Sequence, residues 1–263
     1  MTAAGTTRDI ARAVRPGPVF LGVVAATVLG GVMLWNSGGD RTAFAITGAL
    51  LMVIGGWVVS LCLHEFAHAV TAFKFGDHGA ELRGYLTLNP LKYAHPGLSL
   101  VLPLLFILLG GIGFPGGAVY VNQSGFTKAQ RSIVSAAGPA TNVVLGVALL
   151  VWIGSKDLFT LVPELNFWAA LSMLAILQIT AAILNLLPIP GLDGYGIIEP
   201  YLSHQTRRSV EPIGQYGFLI IVGLLLIPQL NRAFFDLIYS IFELGGADRA
   251  LASWGWQLFV FWR

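Results

Sequence analysis

The chain has 263 residues, 56% of them hydrophobic and only 11% charged, and a net charge of +2. That balance excludes an ordinary soluble domain and gives no ground for nucleic-acid binding; it belongs to a protein built largely inside a lipid bilayer. The single cysteine, Cys62, rules out an internal disulfide and reads as a small buried packing residue.

From the N-terminus, Arg8, Arg12 and Arg15 precede an apolar stretch, and no small-residue cleavage site follows it. This predicts a retained first helix rather than a removed signal. Apolar runs of about twenty residues have the length that crosses a membrane. They fall at 18–36, 43–73, 132–153, 167–188 and about 213–230, which predicts an all-α polytopic membrane protein with five transmembrane helices. The stretch 98–121 is also apolar, but Pro103, Pro115 and the glycines from Gly110 to Gly117 interrupt it. It reads as a re-entrant segment, because irregular backbone at membrane depth survives only where protein covers it.

After Pro228, Phe234, Phe235, Leu237, Ile238, Ile241 and Phe242 recur at helical spacing with Asp236 and Glu243 between them. That pattern predicts a C-terminal interfacial helix, and the aromatics from Trp254 to Trp262 read as headgroup anchors. No internal repeat and no long linker divides the chain, so residues 1–263 read as one membrane-embedded domain.

The distribution of charge predicts an orientation. Segments 1–17, 74–97, 122–131 and 189–212 hold ten of the lysines and arginines, from Arg8 through Lys74 and Lys128 to Arg208, and the opposite side holds Arg41 and Lys156. The positive-inside rule then puts the N-terminus and the first set in the cytoplasm. This requires 98–121 to return to the side it left.

Within the second apolar run stands His64-Glu65-Phe66-Ala67-His68. A helix brings two histidines four residues apart onto one face, where their imidazoles can share a metal ion. Glu65, between them, would lie near an open coordination position and could take a proton from water. Ionisable groups at this depth are a functional hypothesis by default. At about 1.5 Å per residue, His68 and His64 lie some 9 and 15 Å inside the boundary marked by Lys74.

A catalytic zinc takes three protein ligands. The third candidate is Asp193, which follows Asn185-Leu186-Leu187-Pro188-Ile189-Pro190-Gly191-Leu192 at the end of the 167–188 run, on the same side as the histidines. An Asp-Gly after prolines is also ordinary turn chemistry. If 98–121 crossed fully, Asp193 and the histidines would end at opposite faces. His78, His95 and His204 lie in polar segments and read as solvated or interfacial.

These residues, with Ala137-Gly138-Pro139-Ala140-Thr141-Asn142 between them, resemble the site-2 proteases, a family of intramembrane zinc metalloproteases, over a core of about 43–200. Leu88-Asn89-Pro90, Pro96-Gly97 and the run to Val121-Asn122 resemble its compact bacterial and archaeal subgroup, which lacks PDZ and CBS modules. The resemblance implies one Zn2+ held by His64, His68 and Asp193, with Glu65 as general base. It also implies substrate-side roles for Asn142 and Asn185, whose plainer readings are an interhelical hydrogen bond and a helix cap. The implied partners are the lipid bilayer and a transmembrane protein or peptide that unwinds locally, cleaved in regulated intramembrane proteolysis. His95 and Gly116-Gly117-Ala118-Val119-Tyr120 depart from the subgroup's pattern and bear on substrate choice. Ligand types alone leave iron or cobalt open. A non-cleaving metal-binding chaperone or regulator, and a transporter with a midplane ion site, are the competing classes.

Overall fold

The computed structural model describes residues 12–93, 120–156 and 162–262, and among these there is helix and no strand. Among the described residues four unbroken helices are long and apolar enough to cross a membrane: α1 (Pro18–Trp35), α2 (Ala43–Lys74), α3 (Lys128–Gly154) and α4 (Leu165–Leu186). Each matches an expected run to within a few residues. Their ends have local causes. Thr42 accepts from the Ala45 N–H to start α2, and Thr127 with Gln130 forms a capping box at the start of α3. The last turn of α4 stops at Leu186 because Leu187, preceding Pro188, is extended.

Small residues bring α1 and α2 together. A Cβ added at Gly30 would lie 2.7 Å from the Gly48 carbonyl, and one at Gly48 would lie 3.1 Å from that of Gly30. Without water to drive apolar surfaces together, such close backbone packing is what associates membrane helices. The α4 helix is apolar around most of its circumference and largely buried, so it forms the centre of the bundle, whereas α1 is mostly exposed.

The α2 and α3 helices run antiparallel: His68 meets Val134, and His64 meets Asn142. The chain therefore leaves α2 and begins α3 at one end of the bundle, as the metal-site reading requires. Most of the stretch 98–121, expected to be re-entrant, lies outside the described residues.

The fifth expected span, 213–230, is broken. The helix α6 (Gly217–Leu225; α5 is defined with the site) has nine residues, too few to cross alone, and the chain bends by 95° into α7 (Pro228–Leu244), so the two make a fifth span only as a bent pair. The cause is Pro228, which holds Ile227 extended. The expected amphipathic helix is α7, whose Ile238 and Phe242 are buried while Leu237 is exposed. The tail does more than present aromatics: it forms α8 (Arg249–Phe259), which buries Leu251, Leu258 and Phe259. The Cβ of any larger residue at Gly255 would fall on the Ala169 carbonyl, so α8 seats directly on α4.

The end of the bundle away from the histidines is tied by one amide. Fully buried Asn166 donates to Ser37 Oγ (3.0 Å) and to the Asp40 carbonyl (2.9 Å), and accepts from the Trp254 indole N–H (2.8 Å). It joins the α1–α2 loop, α4 and α8. Asn166→Ala should lower stability by about 1–3 kcal/mol, because it removes three hydrogen bonds and leaves the half-buried Trp254 indole N–H without its acceptor. Thermal unfolding in detergent measures this, and zinc content should not change.

Candidate metal centre

The α2 helix presents His64, Glu65 and His68 in its buried half, at 6, 3 and 7% exposure. The two Nε2 atoms are 3.2 Å apart. Both Nδ1 atoms are engaged by α3: His64 Nδ1–H donates to Asn142 Oδ1, and His68 Nδ1–H donates to the Val134 carbonyl, each at 2.6 Å. A carbonyl can only accept, so the Val134 contact places the proton of neutral His68 on Nδ1; Asn142 does the same for His64 when its oxygen is the facing end. Both Nε2 lone pairs are thereby turned toward one point.

Asp193 reaches that point from the opposite side. The prolines release the chain from α4. Gly191 takes a φ of +96°, which glycine adopts without strain, and at Gly194 a Cβ would be 2.5 Å from the Leu187 carbonyl. The chain therefore folds tightly back over the end of α4 and enters α5 (Asp193–Ile198) with Asp193 in its first turn. Ser132 Oγ donates to the Ile197 carbonyl at 2.6 Å and fixes α5 to α3. Asp193 Oδ2 lies 3.1 Å from His64 Nε2, and Oδ1 lies 3.3 Å from His68 Nε2.

Two imidazole nitrogens and a carboxylate converging on one point form a ligand set that could hold a metal ion. The spacing suits zinc: bonds of about 2.0–2.1 Å in a tetrahedron set neighbouring ligand atoms about 3.3 Å apart. Space for the ion comes from Gly138 on α3, where a Cβ would collide with His68 Nε2 and lie 2.5 Å from His64 Nε2. Among the described residues this is the one cluster of three His, Cys, Asp or Glu side chains able to hold a metal.

The other candidates are not drawn in. His78 is exposed, packed edge-on against Phe73, and His204 is exposed at a helix start. His95 lies outside the described residues. Asn185 is half-buried in the last turn of α4 and makes no side-chain hydrogen bond among the described residues. Asn142 is buried, with its carbonyl on His64 and its Nδ2 donating to Gln178 Oε1 at 2.9 Å. Sequence reasoning placed Gly138 in a family motif without a role at the site and passed over Gln178. The available signal for Gln178 was an amide alone in an apolar span.

Over 255 residues, 97% of each chain, the protein is 53% identical to a protein of Mycolicibacterium smegmatis named "Putative zinc metalloprotease Rip2". Over 249 residues, 95% of each chain, it is 49% identical to the protein of that name in Mycobacterium tuberculosis H37Rv. The match to "Putative zinc metalloprotease YwhC" of Bacillus subtilis is 34% identical over 183 residues, 65% of this chain and 78% of that one. No family model and no solved structure matches the chain. Identity of this degree over nearly the full length of both partners means that the chain belongs to the site-2 protease family of intramembrane zinc metalloproteases.

Proposed function

We propose that the protein hydrolyses peptide bonds within or near transmembrane segments of membrane-protein substrates, in regulated intramembrane proteolysis. His64, His68 and Asp193 would hold one zinc ion, and Glu65 would serve as general base. The observation that carries this reading is the convergence of two α2 imidazoles with a carboxylate delivered 125 residues later, inside an apolar helical bundle.

Zinc in that position supplies Lewis acidity, acidifying water and polarising the scissile carbonyl. The protein's own groups do the rest. Glu65 stands one residue from His64 and one turn from His68, so it flanks the metal ligands on the same helix. As a carboxylate it takes the proton from the attacking water and hands it to the leaving amine. Asn142 and the Val134 carbonyl hold the imidazoles in the tautomer that ligation needs. Asn185, in the last turn of α4 and without a side-chain hydrogen bond among the described residues, is assigned to the substrate backbone. A substrate helix must unwind first, since intact helix hides its carbonyls in hydrogen bonds.

The whole chain is read as one membrane domain with its catalytic core in residues 43–200. The site end is assigned to the cytoplasm, supported by Lys74, Arg83, Lys92, Lys128 and Arg131 at that end against Arg41 and Lys156 at the other.

The test is metal content and cleavage together. Purified protein should contain one zinc per chain and cleave a transmembrane substrate peptide; a chelator should stop cleavage and zinc should restore it. Asp193→Ala should lose both. Full cleavage by a metal-free preparation would reject the reading.

A further inference from the structure

We propose that Gln178 is a positioning residue of the metal centre, acting through Asn142 to fix the tautomer of His64. The inference rests on the assignment of His64, His68 and Asp193 as zinc ligands and extends it to a third helix. Gln178 is on α4, touches none of the three ligands in any hydrogen bond described, and is 2% exposed. Its neighbour Thr180 closes onto the Ile176 carbonyl of its own helix at 2.7 Å, whereas Gln178 reaches across to α3.

The logic is that of an amide with two unlike ends. Asn142 can face His64 with its oxygen or its NH2. Oxygen-first, it accepts the Nδ1 proton and leaves the Nε2 lone pair for the metal. With the NH2 first, it would demand the Nδ1 lone pair, send the proton to Nε2 and point it at the metal position. The His64 contact alone does not choose between these, because imidazole and amide can invert together. Gln178 supplies the partner that the oxygen-first arrangement needs: with its Oε1 facing Asn142 Nδ2 at 2.9 Å it accepts from the NH2 end, which leaves the Asn142 oxygen toward His64. His68 needs no such device, since its partner is a backbone carbonyl that cannot invert. In a site with 3% exposure at Asn142, water is not at hand to supply the missing acceptor.

The experiment is zinc affinity, measured by competition with a chromophoric chelator on the full-length protein in detergent. Gln178→Leu should weaken zinc binding clearly, by at most the roughly 10- to 100-fold that loss of Asn142, the outer partner of a ligating histidine, would cause. Gln178→Glu, which keeps an acceptor in place, should bind zinc within about threefold of wild type. In an Asn142→Ala background, Gln178→Leu should cause no further loss, because its action runs through the missing amide. Zinc affinity unchanged in a folded Gln178→Leu protein, or effects of the two substitutions that add, would overturn the proposal. So would a Gln178→Glu protein as weak as Gln178→Leu. If Gln178→Leu fails to fold, Gln178→Met, closer in shape, and the Glu variant carry the comparison. His64→Ala, run in parallel, separates the two levels of the argument. Zinc lost in His64→Ala and kept in Gln178→Leu rejects the relay alone. Zinc kept in both rejects the ligand assignment beneath it, and the relay with it.

Discussion

Glu65→Gln should cut cleavage by about 100- to 10,000-fold while zinc stays bound at one per chain. The substitution keeps the volume and shape of a side chain that is 3% exposed, so the packing of α2 against the bundle is preserved. The three ligand residues are untouched. What disappears is the only function that an amide cannot perform there, the acceptance of a proton near neutral pH. The acid limb of the pH dependence of kcat/KM should disappear with it, since that limb reports the base of the free enzyme. Zinc retention is the necessary second reading. A carboxylate used only to balance the charge of the ion would, on removal, weaken the metal and the reaction in proportion. A base leaves the metal and takes the reaction. Cleavage at the wild-type rate would strike Glu65 from the mechanism and leave metal binding without a proton acceptor to explain hydrolysis.

The parts of this protein that could be read from its sequence are those that a physical constraint writes into a run of neighbouring residues. Bilayer thickness dictates the four apolar runs, and they stand within a few residues of their expected ends. Helical geometry makes His64 and His68 a pair wherever that run is helical. The prolines before Asp193 announce a break, and the topology returns it to the histidines' end. What escaped is what only distance across helices decides. Asn142 and Gln178 are 36 residues apart, and nothing in either segment names the other. The role of Asn166 depends on Ser37, Asp40 and Trp254 arriving at one place. The fifth run was long and apolar enough to be one helix by composition. Pro228 instead turns the chain by 95°, and α7 and α8 then supply core side chains from a stretch whose aromatics alone suggested anchoring. The comparisons with relatives establish the family and its zinc, and they leave the role of each residue to measurement.

Gly138→Ala should abolish zinc binding and cleavage in a protein that still folds. On propensity alone the change is favourable, since alanine in a helix interior is about 1 kcal/mol better than glycine. Packing reverses the sign at this one place. The new methyl would collide with His68 Nε2 and lie 2.5 Å from His64 Nε2 and 2.7 Å from its Cε1, in the space between the ligand atoms. Either the imidazoles swing away from Asp193, or α3 moves back and withdraws the Asn142 oxygen and the Val134 carbonyl that orient them. Both responses dismantle the centre, so zinc affinity should fall by more than the roughly 10- to 100-fold expected when an outer partner alone is lost. Gly22→Ala on α1 is the matched control, because a Cβ there meets nothing within 4 Å; it should keep zinc and activity. Wild-type zinc affinity in Gly138→Ala would mean that α2 and α3 stand far enough apart to admit a methyl group. The two 2.6 Å contacts to the histidine Nδ1 atoms could not then hold in the working protein, and the tautomer argument would fall along with the space assigned to the ion.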